Sequence, residues 1–430
     1  MRNNLNISIF GLGYVGLPLA IKLSNFFNVL GFDKNKQRIK ELKKFLDKNN
    51  EVSSIQLKKS KLQYSVNIKD LKNSNIFIVT VPTPVTKSNQ PDLKPLLIAC
   101  KDIGKIISKG SIVIFESTVY PGVTEEICGP EIKKNSHLIP GKDFYLGYSP
   151  ERINPGDKVH SIDKITKVVS GDCNKTKLIL KKIYGKINSG RIFIAKNIKT
   201  AEAAKVIENT QRDINVAFIN EITKLFKKID INIFDVLKTA GTKWNFLNFQ
   251  PGFVGGHCIG VDPYYLTHAA EQVKYNPTLI LAGRRINDNM SRYMVKKVIQ
   301  KMIVNGIDIK KSTVGVMGIT FKENCPDVRN TKVADVVYEL RNWGVKVVVV
   351  VDPWADQSEL HKIYDIKLGE INTTNKVDSL IVAVGHNEFR SKSPQDLKSL
   401  CKGSNPVLAD VKSIYKKDDL IAQGFSVFRL

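Results

Sequence analysis

Several features that define other classes of protein are missing from this sequence. No run of about 18 apolar residues occurs, so a transmembrane helix is not expected. The 6 cysteines are scattered without a CxxC pair, which argues against a disulfide framework and against a zinc site. The N-terminal residues lack the hydrophobic stretch and cleavage site of a signal peptide, and we therefore expect a cytoplasmic protein without a bound metal.

Acidic residues are also scarce, since 66 lysines and arginines outnumber 41 aspartates and glutamates, a formal net charge of +25. Such a charge is typical of nucleic-acid-binding proteins. The excess is nearly all lysine, however, and no zinc-finger, homeodomain or RNP motif accompanies it. We expect a solvated lysine surface that attracts an anionic ligand, with no nucleic-acid or membrane partner. A basic nucleotide- or nucleic-acid-binding protein without catalysis remains the non-enzymatic alternative.

The first half of the chain alternates short β-type runs with helical stretches, the pattern of a parallel, doubly wound sheet. Several runs lack polar alternation, as strands covered on both faces do. The predicted strands lie at 5–9, 28–32, 75–81, 111–117, 144–149 and 165–171. From Thr200 the pattern becomes one long helix without glycine or proline, and a second helical stretch follows Pro277.

The C-terminal part returns to the first pattern. Its predicted strands lie within 312–321, 345–354, 379–389 and 405–410. Strand, glycine turn, helix and strand are followed by Asp352, which repeats the plan of residues 5–33. The sequence therefore predicts an α/β protein with two Rossmann-like doubly wound domains joined by a long central helix, with boundaries at 1–198, 199–308 and 309–430.

The first turn of the chain carries the motif GLGYVG, which lies between a predicted strand and a predicted helix. Gly11 permits the tight turn, Gly13 lets a pyrophosphate approach the backbone, and Gly16 allows close packing of the helix. Asp33 follows about 20 residues on, where a carboxylate holds ribose hydroxyls and repels a 2′-phosphate. The motif predicts NAD as cofactor, although the nearby cations Lys34, Lys36 and Arg38 are a hint of NADP.

Further loops directly follow predicted strands, where ligands of doubly wound sheets bind. They are VPTP (81–84), ESTVYPG (116–122) and SPERINPG (149–156), the last with Glu151. On the long helix, Lys205, Asn209 and Arg212 have the spacing of one helix face.

The segment PGFVGGHCIGVDP (251–263) holds a cysteine in a glycine-rich loop, where a ligand can approach the backbone closely. Cys258 is a candidate nucleophile, Asp262 a group to orient a lysine or water, and His257 a weaker candidate base. A dinucleotide site combined with a nucleophilic thiol predicts oxidation of an alcohol to an acid, because the thiol captures the aldehyde as a thiohemiacetal. Loss of a second hydride converts this adduct into a thioester, which water cleaves to the acid. A two-electron hydroxyacyl or phosphogluconate type of dehydrogenase, which needs no cysteine, is the alternative enzyme.

Together these motifs, with GITFKENCPDVRN (318–330), resemble the nucleotide-sugar 6-dehydrogenase family over essentially the whole chain. The branch resembled most is that of UDP-N-acetylhexosamine 6-dehydrogenases which oxidise UDP-N-acetylglucosamine for surface polysaccharide synthesis. The resemblance implies a UDP-sugar substrate, NAD as cofactor, and a homodimer formed through the long central helix. UDP-N-acetylmannosamine and UDP-glucose remain alternative substrates.

The resemblance also implies roles for individual residues. Cys258 matches the thioester-forming nucleophile, Lys205 and Asn209 the groups that stabilise the C6 oxygen, and Asp262 the partner in proton removal. Glu151 matches the residue that activates water for hydrolysis, with support from Thr118. The implied cofactor-binding residues are Gly11, Gly13, Tyr14, Val15, Gly16, Asp33, Arg38, Thr83, Thr118 and Arg329. The implied substrate-binding residues are Glu151, Lys205, Asn209, Arg212, Gly252, Phe253 and Lys322.

Two positions depart from the UDP-glucose branch of that family. Val261 stands where the glucose enzymes carry a lysine, and Arg212 stands where they carry an apolar residue. Because an arginine can donate a hydrogen bond to an acetamido carbonyl, these departures predict selectivity for an N-acetylhexosamine.

Overall fold

The computed structural model describes residues 5–86, 88–152, 163–256 and 258–430. The chain forms two compact units. The first comprises residues 1–208 and 264–276, and the second comprises residues 209–263 and 277–430. Within the described ranges, none of the helices is long and apolar enough to cross a membrane.

The sheet of the first unit has the strand order β3-β2-β1-β4-β5-β6-β7-β8. Its strands are β1 (Asn6–Phe10), β2 (Asn28–Phe32), β3 (Gln63–Ser65), β4 (Ile76–Val79), β5 (Ile112–Phe115), β6 (Tyr145–Tyr148), β7 (Lys167–Gly171) and β8 (Ile192–Ile194). All six predicted strands are confirmed, and the short β3 and β8 were not predicted. The expectation of a parallel sheet is wrong at one pairing, because β6 and β7 run antiparallel.

The helices of this unit cover both faces of the sheet's buried strands. They are α1 (Gly16–Ser24), α2 (Lys36–Lys43), α3 (Ser54–Lys59), α4 (Lys94–Gly104), α5 (Gly129–Ser136) and α6 (Asn174–Gly185). Every residue of β4 and β5 is buried, which agrees with their unbroken apolar sequences. The core combines apolar residues of the central strands with those of α1 and α6.

The middle of the chain is helical, as predicted. Its helices are α7 (Ile198–Phe226), α8 (Ile233–Ala240), α9 (Asp262–Gln272), α10 (Thr278–Asp288) and α11 (Met290–Val304). The helical stretch predicted after Pro277 is two helices, because Asn289 leaves helical geometry at φ −87° and ψ 0°.

The second unit carries a parallel sheet of order β10-β9-β11-β12-β13. Its strands are β9 (Thr313–Met317), β10 (Val347–Val351), β11 (Ser379–Val382), β12 (Val407–Asp410) and β13 (Ser426–Arg429). Its later helices are α12 (Lys332–Asn342), α13 (Gln357–Tyr364), α14 (Asn387–Arg390), α15 (Pro394–Ser399) and α16 (Lys417–Ala422).

The predicted repeat of the first plan in the second is confirmed. After β2, the Asp33 carboxylate accepts the N–H of Leu12 at 2.9 Å. After β10, the Asp352 carboxylate accepts the N–H groups of Ile319 and Thr320 at 2.6 and 3.1 Å. Each sheet reverses its strand order beside its first strand, at β1/β4 and at β9/β11, and ligands of such sheets bind beyond the carboxyl ends of strands at that reversal.

Candidate active site

The glycine loop after β1 has the geometry of a pyrophosphate site. Gly11 has a φ of +93°, and a Cβ added to Gly13 would meet no heavy atom within 4 Å. Helix α1 begins at Gly16 without a side-chain cap from Val15 and without an acidic residue in its first turn. Because the first N–H groups of a helix attract anions, this open helix start fits the diphosphate of a dinucleotide.

The cations near Asp33 are mostly committed to other contacts. Lys34 pairs with Asp102 at 2.7 Å. Arg38 is buried, donates from Nε to the carbonyl of Leu12 at 2.9 Å, and pairs with Asp47 at 2.7 Å. Arg38 therefore supports the glycine loop from within the protein, and neither Lys34 nor Arg38 keeps an unpaired charge for a 2′-phosphate.

The loops after β4 and β5 are tied to each other. The Thr83 hydroxyl donates to the carbonyl of Thr118 at 2.7 Å, and the Ser117 hydroxyl donates to the carbonyl of Val81 at 2.6 Å. Thr83, predicted to contact the cofactor, thus uses its hydroxyl proton to hold the neighbouring loop. Both threonines are partly exposed.

Glu202 anchors the second of these loops and was not predicted. Its fully buried carboxylate accepts the N–H of Gly122 at 2.6 Å and of Thr124 at 2.9 Å. Burial raises the pKa of Glu202, although these donors act in the opposite direction. An acidic residue in the alanine-rich start of α7, three positions before Lys205, is the signal in the sequence that marks it.

Of the other predicted residues of the first unit, two are buried and two are partly exposed. Lys205 is buried on α7, and Glu151 is buried directly after β6. Tyr14 and Val15 are partly exposed at the start of α1. Glu151 accepts the backbone N–H of Arg152 at 2.8 Å, which fixes one of its carboxylate oxygens.

In the second unit, the structure brings together three of the residues predicted for catalysis. The Asn209 amide donates to the carboxylate of Asp262 at 2.5 Å. The backbone N–H of Asp262 donates to the carbonyl of Cys258 at 2.8 Å, so that α9 begins directly after the cysteine turn. Asp262 is buried and Cys258 is half-buried. His257 lies outside the described residues.

The glycines before Cys258 let the loop pack closely against other protein atoms, and Gly255 also lines a cavity. A Cβ at Gly255 would lie 2.7 Å from the carbonyl oxygen of Asn330, and one at Gly256 would lie 2.8 Å from the ring of Phe321. Gly256 also has a φ of +83°. The glycine pair therefore packs the cysteine loop against the segments on either side of Cys325.

A buried polar network holds the start of the same loop. The Asn220 side chain accepts the N–H of Gly252 at 2.9 Å and donates to its carbonyl at 3.0 Å. It also donates to Asn287, whose amide reaches the carboxylate of Asp213 at 2.7 Å. Arg284 completes the network with a 2.6 Å contact to Asp213. Gly252 and Phe253 are thereby fixed by residues of α7 and α10.

A cavity of about 270 Å³ opens at the carboxyl ends of β9, β11 and β12. It is lined by Phe253, Gly255, Thr320, Phe321, Lys322, Glu323, Thr331, Lys332, Val333, Ala383, Val384 and Lys412. The predicted substrate-binding residues Phe253 and Lys322 lie in it, and Gly252 lies beside it, since a Cβ there would be 3.2 Å from the Lys412 ammonium.

Lys412 was missed by the sequence analysis, although it directly follows a predicted strand, as ligand-binding residues of such sheets do. Lys412 lines the cavity, and desolvation by the surrounding protein lowers the pKa of its ammonium group, with the nearby Arg390 charge acting in the same direction. Three lysines and few acids line the cavity, which suits an anionic ligand.

Two predicted residues lie elsewhere. Arg329 donates from Nε and Nη2 to both carboxylate oxygens of Asp327, at 3.0 and 2.8 Å. Arg212 is exposed on α7. In the part of the chain that is described, no group of three or more His, Cys, Asp or Glu side chains is placed to hold a metal ion.

Comparisons with known proteins agree with this arrangement. Residues 5–188, 199–289 and 315–417 match the NAD binding, central and UDP binding domains of the UDP-glucose/GDP-mannose dehydrogenase family. Protein CapL of Staphylococcus aureus is 50% identical over 97% of this chain and 98% of its own. The UDP-N-acetyl-D-glucosamine 6-dehydrogenase of Salmonella typhi is 47% identical over 96% of this chain and 97% of its own.

Among solved structures, the UDP-D-ManNAc dehydrogenase of Pyrococcus horikoshii matches with a TM-score of 0.89 and 29% identity, over 99% of each chain. The family models match most of both α/β sheets and of the helices between them, and leave out β8, α11 and β13. NAD is the cofactor of the first of these domains, in agreement with the open glycine loop and Asp33. The chain therefore belongs to the UDP-glucose/GDP-mannose dehydrogenase family and is an NAD-dependent oxidoreductase.

Proposed function

We propose that the protein oxidises the C6 hydroxyl of a UDP-N-acetylhexosamine, UDP-N-acetylglucosamine in the first place, to the uronic acid with reduction of two NAD. The observation that carries the chemistry is the contact of Asn209 with Asp262 at the start of α9, four residues after Cys258. The choice of sugar is supported by the Salmonella typhi relative, which is named for that substrate. UDP-N-acetylmannosamine is the second candidate, because the Pyrococcus horikoshii structure is of an enzyme for that sugar.

In the proposed reaction, each of the candidate catalytic side chains has its own task. Asp262, with a water, takes the proton of the C6 hydroxyl, and Asn209 fixes the Asp262 carboxylate for this task. Two NAD, bound in turn, each accept one hydride from C6: the first leaves the alcohol, and the second leaves the adduct of the aldehyde with the Cys258 sulfur, which thereby becomes the thioester. The Cys258 sulfur attacks the aldehyde carbon, and Lys205 offsets the charge on the oxygen. Glu151, supported by Thr118, takes a proton from the water that opens the thioester and releases the acid.

The proposed ligand contacts follow from the two sheet reversals. Gly11, Gly13, Tyr14, Val15 and Gly16 present the start of α1 to the NAD diphosphate, and Asp33 binds the ribose. Thr83, Thr118 and Arg329 remain proposed cofactor contacts. In the second unit, Gly252, Phe253 and Lys322 bind the UDP-sugar, and we add Lys412 to this set because it lines the same cavity. Arg212 is proposed to contact the acetamido group.

We also propose a homodimer. The helical part of the second unit exposes large apolar side chains that a monomer leaves in water. They are Phe218, Leu225, Ile229, Ile231, Trp244, Leu247, Leu279 and Leu281, with Trp244 92% exposed. An exposed apolar surface of this kind is typical of a protein–protein interface. Sedimentation equilibrium of the wild type tests the proposal, which a monomer at micromolar concentration would contradict.

The activity is tested by following NADH formation with UDP-N-acetylglucosamine, UDP-N-acetylmannosamine and UDP-glucose, together with the acid formed. We expect preference for UDP-N-acetylglucosamine and two NADH per acid. A ratio of one NADH per sugar would instead indicate the two-electron type of dehydrogenase, and a clear preference for UDP-glucose would contradict the role given to Arg212.

The nucleophile is tested by Cys258→Ser with Cys173→Ser as the matched control. Both cysteines are half-buried, but the Cys173 thiol lies 3.2 Å from the Thr176 hydroxyl and belongs to none of the proposed catalytic groups. We expect Cys258→Ser to abolish acid formation and Cys173→Ser to retain it. Normal acid output with two NADH from Cys258→Ser would show that the covalent step is wrong.

A further inference from the structure

A buried charged cluster lies directly behind Glu151. Lys167 on β7 is 1% exposed, and its ammonium group is 2.7 Å from a carboxylate oxygen of Glu116. The same ammonium is 3.3 Å from the carbonyl of Pro150 and 3.4 Å from the carboxylate of Glu151. The Tyr184 hydroxyl donates to the other carboxylate oxygen of Glu116. The three N–H groups of Lys167 thus have three acceptors, one of which is Glu151.

The sheet alone does not require a lysine at this position. All residues of β7 are buried, and strands covered on both faces are normally apolar. Burial by itself would lower the pKa of Lys167, but the charges of Glu116 and Glu151 outweigh burial and raise it, so that the ammonium form is retained. A buried cation is costly unless it is paired, and this one is held between two carboxylates.

The two carboxylates share the lysine unequally. The shorter contact is to Glu116, whose pKa burial raises despite the nearby ammonium. Glu151 receives the longer contact through one oxygen and the backbone N–H of Arg152 through the other. The Arg152 guanidinium pairs with Glu208 at 2.6 Å, so its charge is already balanced. Among the residues that the structure describes, Glu116 and Lys167 are therefore the charged groups that act most directly on the Glu151 carboxylate from the neighbouring strands.

We propose that Lys167 is a positioning residue for thioester hydrolysis, holding the Glu151 carboxylate ionised and oriented toward the attacking water. This inference rests on the proposed role of Glu151. In that step the water oxygen bonds to the C6 carbon while a water proton passes to Glu151. The carbon–sulfur bond breaks with its electron pair on the Cys258 sulfur, and the acid is released. Only an unprotonated Glu151 accepts the proton, and the neighbouring ammonium favours that form.

The charges predict shifts of opposite sign in two variants. Lys167→Met keeps the length of the side chain but removes the cation, which disfavours the Glu151 carboxylate. The acid limb of the pH profile for acid formation should then move up by about 1–3 pH units, the usual effect of an opposite charge at this range. Glu116→Gln removes the competing anion, so the same limb should move down. Lys109→Met, at an exposed pair with Asp143, is the control that should move neither.

The experiment combines this pH profile with intact-mass measurement of enzyme quenched during turnover. We expect Lys167→Met to accumulate the covalent sugar adduct on Cys258 after a burst of two NADH per site, while KM for both ligands stays within about twofold. An unshifted acid limb without adduct would overturn the proposal. If Lys167→Met does not fold, Glu116→Gln decides, since an upward or absent shift in that variant contradicts the proposed charge effect.

Glu151→Gln separates this inference from the proposed function. Accumulation of adduct in Glu151→Gln but not in Lys167→Met would overturn only the role of Lys167. Absence of adduct in Glu151→Gln would contradict the hydrolytic role of Glu151 itself.

Discussion

The glycines of the first loop serve two purposes that alanine substitutions can separate. A Cβ at Gly16 would lie 1.9 Å from the carbonyl oxygen of Gly11 and 2.4 Å from the Thr80 hydroxyl. Neither distance is possible for a real carbon atom, so the backbone of the loop must move. A Cβ at Gly13 would meet no protein atom within 4 Å. Gly16 is thus required by the fold, whereas the fold makes no such demand on Gly13, and we expect only the cofactor to require a glycine there.

The size of the two effects follows from these contacts. Inserting a methyl group into a packed site costs about 1–3 kcal/mol. Thr80 also donates toward the carbonyls of Phe10 and Gly11, at 3.0 and 2.8 Å, and disruption of such a hydrogen bond costs about 1 kcal/mol. We therefore expect Gly16→Ala to destabilise the first unit by about 2–4 kcal/mol, which lowers Tm by about 4–16 °C for a unit of this size.

Gly13→Ala should leave the stability of the cofactor-free protein within about 0.5 kcal/mol of the wild type. Its methyl group would stand where the diphosphate approaches the backbone, and we expect NAD affinity to fall at least about tenfold, or ~1.4 kcal/mol. Thermal unfolding without cofactor and calorimetric titration with NAD measure the two quantities. Equal loss of Tm in both variants, or wild-type NAD binding by Gly13→Ala, would refute the separation.

Two further predictions concern the second unit. Asn220→Ala removes both hydrogen bonds to Gly252 and should lower the free energy of unfolding by about 2–4 kcal/mol. It should also raise KM for the UDP-sugar but not for NAD. Urea unfolding and steady-state kinetics test both effects against the control Asn215→Ala, and equal effects of the two variants would contradict the prediction. Burial raises the pKa of Tyr364 to about 12, so its contribution is complete below pH ~10 and is lost as the pH rises to about 12. Tyr364→Phe should therefore lose less stability than the wild type between pH ~10 and ~12, by at most about 2–3 kcal/mol because solvent screens a partly exposed group; an equally steep loss in both proteins would count against this.

The fold was predictable where the signal is local. Unbroken apolar runs marked the long strands of both sheets, and the absence of glycine and proline marked α7. The three-residue strands β3 and β8 are too short to show a pattern, and strand direction leaves no trace in apolar periodicity, so the antiparallel β6–β7 pairing was missed. The break at Asn289 was missed although Asn287, Asp288 and Asn289 have low helical propensity, because the sequence from Arg284 to Val304 contains neither glycine nor proline.

In the candidate site, too, the sequence revealed local motifs but not contacts between distant parts of the chain. The glycine loop and Asp33 were found because their spacing follows from a single β-α-β unit. The partners that hold the loops were not found, since their contacts join distant parts of the chain. Glu202 lies 78 and 80 residues from the two N–H groups that it caps, and Lys167 lies 51 residues from Glu116. Their charges became informative only once the fold brought them to buried positions.

The two units differ in the side chains at the start of one helix in each, α1 in the first and α12 in the second. In the first unit, α1 begins without a side-chain cap or an acidic residue. In the second, the Thr331 hydroxyl caps α12 through the N–H of Val333 at 3.2 Å, and Asp335 lies in its first turn. A capped helix start has fewer free N–H groups to offer an anion than an open one. We therefore expect the second sheet to hold a diphosphate with lysines such as Lys322 and Lys412, which line its cavity, rather than with the start of a helix.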